Sequence, residues 1–307
     1  MKNKYTKKEI EFLKKNYSNL SKEQIMERFP IRTWDAIKIK ANKLNLSKKT
    51  TDRSCSKNIS VLLTETPETY YWIGFLMADG SFDDVKMTMK FSLQEKDTDH
   101  VLLFKKYIKY IGNFKLNEFK VMNKDIVNKI IKKFDFKSNK TYNPPDKNII
   151  NKMNDNLFFS FLIGFIDGDG YIQKDKRKKN EFRITIKLHQ SWIDILQLLS
   201  DRICNYLKLK NYSAIINNQG FAKIGFSNFE IVKFLKKHAI NYNLPILKRK
   251  WDLIDIKYIS RSEKSKKDYN NILDLQQKKY TKREIGNILN LPNNIINNCF
   301  RKNNLIK

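Results

Sequence analysis

Cysteine is scarce. Cys55, Cys204 and Cys299 are the only three in 307 residues, widely spaced and outside any C-x-x-C pattern. That excludes a disulfide framework and a thiolate zinc site, and it suits a reducing compartment. His100, His189 and His238 are isolated, so no His-rich nuclease signature is present, and there is no P-loop. Long apolar runs and amphipathic anchors are also missing, which predicts no membrane partner. The start, "MKNKYTKKEI", is charged with no apolar segment after it and predicts no secretory signal. Acids are outnumbered: 32 Asp+Glu against 61 Lys+Arg leave a formal charge of +29. Such a charge opposes compaction unless a polyanion is the usual partner, and bases spread along the whole chain favour nucleic acid over a lipid surface. What is plentiful is core: 41% of residues are hydrophobic, enough for two or three domains. The abundance of Lys, Asn and Ile points to an AT-rich coding sequence. A low-GC bacterium, its phage or an organelle would fit, with a cytoplasmic or organellar-matrix location.

The chain repeats itself. "YWIGFLMADGSF" at 71–82 and "FLIGFIDGDGYI" at 161–172 align without a gap, placing Asp79 and Asp169 ninety residues apart. Each copy continues alike. "VKMTMKFSL" sets Val85, Met87, Met89, Phe91 and Leu93 against Lys86, Thr88, Lys90 and Ser92. "FRITIKLHQ" sets Phe182, Ile184, Ile186 and Leu188 against Arg183, Thr185, Lys187 and His189. Period two predicts strands with one buried and one cationic face, the latter suited to a phosphate backbone. A helix follows in each copy, the first with Asp97 as N-cap and Gly112 just past its end. A second pair of short strands comes next; in the later copy its hairpin turns near Gly220. A Ser227 to Glu230 capping box then opens a last helix. The fold class is therefore α+β: two αββαββα repeats, at 65–152 and 153–260.

The two acids sit at the least favourable place on a helix. A helix C-terminus carries partial negative charge, so a carboxylate there is repelled. Gly164 and Gly168, like Gly74 and Ala78, are four apart and make a smooth stripe along which a second backbone can approach. Packing of the two stripes about a pseudo-twofold axis brings Asp79 and Asp169 to one spot, with Gly80 and Gly170 ending the helices. Converging carboxylates repel. A divalent cation relieves the repulsion: Mg²⁺ or Mn²⁺ is held by one or two carboxylates together with phosphate and water, and paired metals serve phosphodiester hydrolysis.

"WIGFLMADG" and "LIGFIDGDG" resemble the LAGLIDADG homing endonucleases in their single-chain, two-motif form, over roughly residues 67–257. The resemblance implies a saddle of two halves with DNA lying on the sheets. It also implies cleavage of both strands across the minor groove, leaving short 3′ overhangs. Asp79 and Asp169 match the metal ligands. The second motif keeps an acid two residues earlier, Asp167, where the first has Met77. Glu95 and Gln190 match positions that order solvent near the metals. Lys140, and either Lys248 or Lys250, match a lysine near the scissile phosphate, where it would offset developing charge. The first hairpin, turning at Asp83-Asp84, is shorter than the second within "KDKRKKN", so the halves are expected to read different half-sites in a long asymmetric target.

The ends differ from the repeats. Residues 1–48 carry two capping boxes, Thr6 to Glu9 and Ser21 to Gln24, then a third helix rich in lysine. They resemble the helix-turn-helix modules appended to mobile-element nucleases, with Arg32, Lys38, Lys40 and Lys43 as DNA contacts. Residues 49–64 read as a basic linker, and 261–307 as a second helix-turn-helix-like module with a Thr281 to Glu284 box. The resulting expectation is a monomeric, metal-dependent double-strand DNA endonuclease, intron-encoded or free-standing. The alternative is a non-cleaving binder, either a maturase acting on its own intron RNA or a transcription regulator on the same scaffold. Retention of both acids favours cleavage. Terminal helix-turn-helix modules favour duplex DNA, because the deep groove of RNA excludes a helix.

Overall fold

The computed structural model describes residues 5–18, 20, 22–46, 56–112, 115–174 and 181–304; Cys55, Ser21 and most of the second hairpin turn lie outside these. The architecture is mixed, mainly helical with two small antiparallel sheets. Helices α1 (Lys7–Asn16), α2 (Lys22–Arg28) and α3 (Trp34–Lys43) close on their own small core of Leu13, Tyr17, Ile25, Phe29, Ile37 and Ala41. The Thr6 to Glu9 capping box is formed in full.

The expected linker ends earlier than the sequence implies. Ile59–Leu63 forms a 3-10 helix, and its Ile59 and Leu62 are buried in the main core. Thr66 then caps α4 (Pro67–Asp79), with Pro67 in the first turn, where its missing N–H costs nothing. Strands β1 (Ser81–Asp83) and β2 (Thr88–Ser92), helix α5 (Thr98–Tyr107), strand β3 (Glu118–Met122) and helix α6 (Lys124–Phe134) complete the first half. The short helix α7 (Lys147–Asn151) leads to the second half. There α8 (Asp155–Asp169) is followed by β4 (Gly170–Lys174), β5 (Phe182–His189), α9 (Ile193–Tyr206), β6 (Ile215–Ile216), β7 (Phe221–Phe226), α10 (Phe229–Asn241) and α11 (Lys248–Trp251). Helices α12 (Arg261–Gln277), α13 (Lys282–Leu289) and α14 (Asn293–Asn304) share a third core of Ile272, Ile285, Ile296 and Cys299. Thr281 and Glu284 form their capping box, and so do Ser260 and Glu263, a pair the sequence reading passed over.

The sheets run β1-β2-β3 and β4-β5-β7-β6. The hairpin at Gly220 is present, with φ +75° at the glycine. In the first half only β3 represents the expected second strand pair among the described residues.

Local chemistry corrects several expectations. Val85 is not in a strand: it is 88% exposed, in a turn where the Asp83 carboxylate accepts from the Val85 and Lys86 backbones at 3.1 and 2.8 Å. That side-chain bond offers the backbone an alternative to the sheet ladder, and β2 starts only at Thr88. Asp97 occupies the N-cap position of α5 but makes no capping bond, and the helix ends at Tyr107, well before Gly112. The α10 cap is Asn228; the Ser227 hydroxyl donates to Tyr212 at 3.3 Å instead. Gly80 and Gly170 do end their helices, but in extended conformation, with φ −71° and −85°. Glycine is needed there for space, since a Cβ would strike the Leu76 and Ile166 backbones.

Helices α4 and α8 are apolar all round and buried together at the centre of the main core, as such helices must be. The contact is reciprocal. A Cβ on Gly74 would collide with the Phe161 carbonyl, and one on Gly164 with the Tyr71 carbonyl.

Candidate active site and nucleic-acid face

Because the stripes pack backbone to backbone, both helices finish on one side. A Cβ on Gly168 would strike Ala78 and stand 3.3 Å from the Asp79 nitrogen, so the two acid-bearing ends are immediate neighbours. Each end leaves carbonyls without helical partners. Lysines take them up. Lys140 Nζ donates to the Met77 carbonyl at 2.6 Å and to that of Ala78. Lys250 Nζ donates to the carbonyls of Ile166, Asp167 and Gly170 at 2.9, 2.6 and 2.7 Å. Cations at helix C-termini offset the dipole that penalises the acids. Of the two lysines left open by the sequence, Lys250 is the one at the acids. Lys248 is exposed in a different groove, beside Asp97 and His100.

The electrostatics are strained. Burial lifts the Asp169 carboxyl to about 6 against the pull of Lys140 and Lys250, and the charge of Asp79 adds to the rise. Desolvation raises Asp79 too, against the pull of Lys140 and Lys250, although the residue keeps an exposed surface. Burial lowers Lys140 to about 8, with Asp169 and then Asp79 holding it up, and Lys250 is lowered as well.

Each acid opens onto a sheet. Asp79 shares a groove with Ser81, Lys90, Ser92, Glu118 and Lys120; Asp169 shares one with Tyr171, Gln173, Thr185, Lys187, Asn217 and Lys223. Cross-strand register builds these surfaces: Lys90 lies between Ser81 and Lys120, and Lys187 lies opposite Lys223. Sequence reasoning missed Lys120 and Lys223, although the alternation of "EFKVM" and "FAKIGF" puts both on the polar face. Arg183 and Lys187 are exposed on β5 as expected. Lys86 falls in the turn beside Asp83, and Thr88 is buried, so neither belongs to the open face. His189 is engaged locally by Ser191 and packs against Tyr142.

Asp167 is a structural clamp. It is 1% exposed and accepts from the Tyr71 hydroxyl, the Leu247 backbone and the Trp251 indole at 2.7, 2.9 and 2.7 Å. Burial raises its carboxyl while Lys250 and these donors oppose the rise. Glu95 and Gln190 each begin a 3-10 helix after the central strand, at Glu95–Asp97 and Gln190–Trp192, and both are exposed. Neither hydrogen-bonds an acid among the described residues; Gln190 turns toward Gly220. His100 and His238 are buried and held neutral, near 3 and 4. In the N-terminal module, Arg32 pairs with Glu9 at 3.0 Å and lies over the Tyr5 ring at 3.7 Å, so it acts inside the fold. Lys38 pairs with the exposed Asp35, Lys40 leans toward Tyr5, and Lys43 is exposed.

No group of three or more His, Cys, Asp or Glu side chains able to hold a metal occurs among the described residues, and no described helix is long and apolar enough to cross a membrane. A two-carboxylate site that takes its remaining ligands from phosphate and water fits Mg²⁺, which keeps several waters.

No family model matches the chain. Half of it is 27% identical, over 161 residues, to glutamine–fructose-6-phosphate aminotransferase of Methanocaldococcus jannaschii, and the match spans 15% of that protein. Structural neighbours include LAGLIDADG homing endonucleases. The meganuclease I-SmaMI bound to uncleavable DNA is 13% identical at TM-score 0.38, over 68% of this chain and 91% of that one. The LAGLIDADG homing endonuclease I-GzeII in complex with its DNA target is 14% identical at TM-score 0.38, over 70% and 92%. Full-length DUF199/WhiA from Thermatoga maritima is 13% identical at TM-score 0.37, over 82% and 96%. Overlap at this level equates no residue of this chain with a residue of those proteins.

Proposed function

We propose that this protein is a divalent-metal-dependent endonuclease that cuts both strands of a specific, asymmetric DNA site across the minor groove, leaving short 3′ overhangs. One observation carries the reading: paired helices end as neighbours, each in an acid that opens onto a lysine-bearing sheet, and the charge of one acid is felt by the other. Stability alone gives no reason for that pairing, because burial, the helix dipoles and mutual repulsion all oppose it. The reciprocal glycine contacts fit a pseudo-twofold relation between halves, hence one acid for each strand.

Asp79 and Asp169 would hold Mg²⁺ or Mn²⁺, which when bound activates water and stabilises the leaving oxygen. Lys140 and Lys250 supply fixed positive charge where phosphate charge grows. Lys90, Lys120, Arg183, Lys187 and Lys223 bind the backbone, and the terminal three-helix modules extend the contact as helix-turn-helix units, Lys43 among their contacts.

Selection of cut sites from a randomised duplex library in Mg²⁺ tests the proposal. Linear product that persists in Asp79→Asn or Asp169→Asn would remove these acids from the chemistry. Salt-sensitive binding with no cutting in Mg²⁺ or Mn²⁺ would instead assign the non-cleaving reading.

A further inference from the structure

The segment carrying each lysine, a turn for Lys140 and the short helix α11 for Lys250, is fastened by the opposite half. The Lys140 carbonyl accepts from the Trp192 indole at 3.0 Å, and the next carbonyl, Thr141, accepts from the Ser191 hydroxyl at 2.8 Å. Both donors come from the 3-10 helix after β5, in the second half. Conversely Arg249, next to Lys250, makes a two-point ion pair at 2.6 and 2.8 Å with Asp97, the last residue of the 3-10 helix after β2, in the first half. Trp192 and Asp97 hold the same place in their halves. Each sits at the N-cap position of the following helix, and neither caps it. Asp97 is a favourable N-cap residue by type, yet its buried carboxylate serves Arg249. The two straps use unrelated chemistry, an indole N–H and an ion pair, for one geometric task.

We propose that Asp97 and Trp192 are positioning residues that tie the two cutting centres together, each setting the lysine of the other half. This rests on the nuclease reading and deepens it: the cut in one strand depends on contacts made by the half that serves the other. A lysine released from its strap leaves one centre impaired while its neighbour works, so nicked DNA accumulates.

The test follows nicked and linear forms of a supercoiled plasmid carrying a selected site. Asp97→Asn and Trp192→Phe should each slow the second cut about tenfold relative to the first, with DNA affinity in EDTA within about twofold of wild type. Asp97→Glu should largely restore the linear product. Asp97→Asn should add nothing on an Arg249→Gln background, since the two residues act through each other. Equal slowing of both cuts, or an unchanged ratio of nicked to linear DNA, would overturn the proposal.

A second measurement needs no cleavage. Brief acetylation with mass mapping should find Lys140 more reactive in Trp192→Phe, and Lys250 more reactive in Asp97→Asn, each without change at the other lysine. Unchanged labelling overturns the cross-positioning. If wild type cuts nothing in Mg²⁺ or Mn²⁺, the nuclease reading falls by itself, and the labelling decides the straps alone.

Discussion

The two halves of the main core solve one problem with different residues. In the second half, buried Asp167 gathers the Tyr71 hydroxyl, the Leu247 backbone and the Trp251 indole, and so anchors the segment bearing Lys250. The matching place in the first half is Met77, 2% exposed and purely apolar. There the Lys140 segment is held by other means: Phe136 stacks on Phe82 at 3.9 Å, Ser138 donates to Asp84 at 2.7 Å, and Trp192 reaches in from the other half. Both lysines nevertheless arrive on the terminal carbonyls of their helices. The acid two residues before the helix-ending aspartate is therefore a means of support, replaceable when the lysine segment finds other anchors.

The sharpest way to break this comparison is to remove the polar anchor in one half and only reshape its apolar counterpart in the other. Asp167→Ala strands three buried donors and should lower unfolding free energy by about 3 kcal/mol or more. The volume-conserving Met77→Leu should cost less than about 1.5 kcal/mol. Urea titration of the two variants measures the gap.

The helix seam should behave in the opposite way, with the halves equal. Gly74→Ala and Gly164→Ala each press a methyl into a facing carbonyl and should each cost about 2 to 3 kcal/mol, with midpoints close to one another. Clearly unequal midpoints would show that the reciprocity is not energetic.

The acids themselves should differ with pH. Asp169 has a raised folded pKa, about 6 against 3.8, so it disfavours the folded state once it ionises. Asp169→Asn should therefore stabilise the metal-free protein by about 2 kcal/mol or less above pH 6. The advantage should shrink as pH falls from about 6 to 4, and vanish below. Thermal melts across pH read this directly, and Mg²⁺ should raise the melting temperature of wild type more than that of the variant.

The smallest effects belong to the sheet faces. Lys120→Ala and Lys223→Ala, one per half, should each reduce the salt slope of DNA binding by about 0.9. An effect confined to one half would show that the DNA does not lie on both sheets.

The legible features were those that short-range periodicity encodes. The doubled motif gave both acids, the alternation in 182–189 gave β5 and its cationic face, and Gly220 gave the β6–β7 turn. Local competition hid the rest. Val85 to Met87 has the apolar rhythm of a strand, but the Asp83 carboxylate captures the backbone there and Met87 adopts φ +48°. Asp97 looks like a cap because type and position favour it, while its partner Arg249 is distant in sequence and invisible to any local rule. Lys248 and Lys250 are indistinguishable by composition, and the anchoring of Leu247 and Trp251 on Asp167, together with that of Arg249 on Asp97, settles which ammonium meets the helix end.

By itself the sequence determined that two apolar helices, each ending in acid and followed by a basic strand, must bury themselves together, because hydrophobic burial and the small-residue stripes leave them no better partner. Tertiary structure alone decided which lysines reach the acids and which half holds them. Those choices are made by single hydrogen bonds between residues far apart in the chain, and they depend on where the folded loops come to rest.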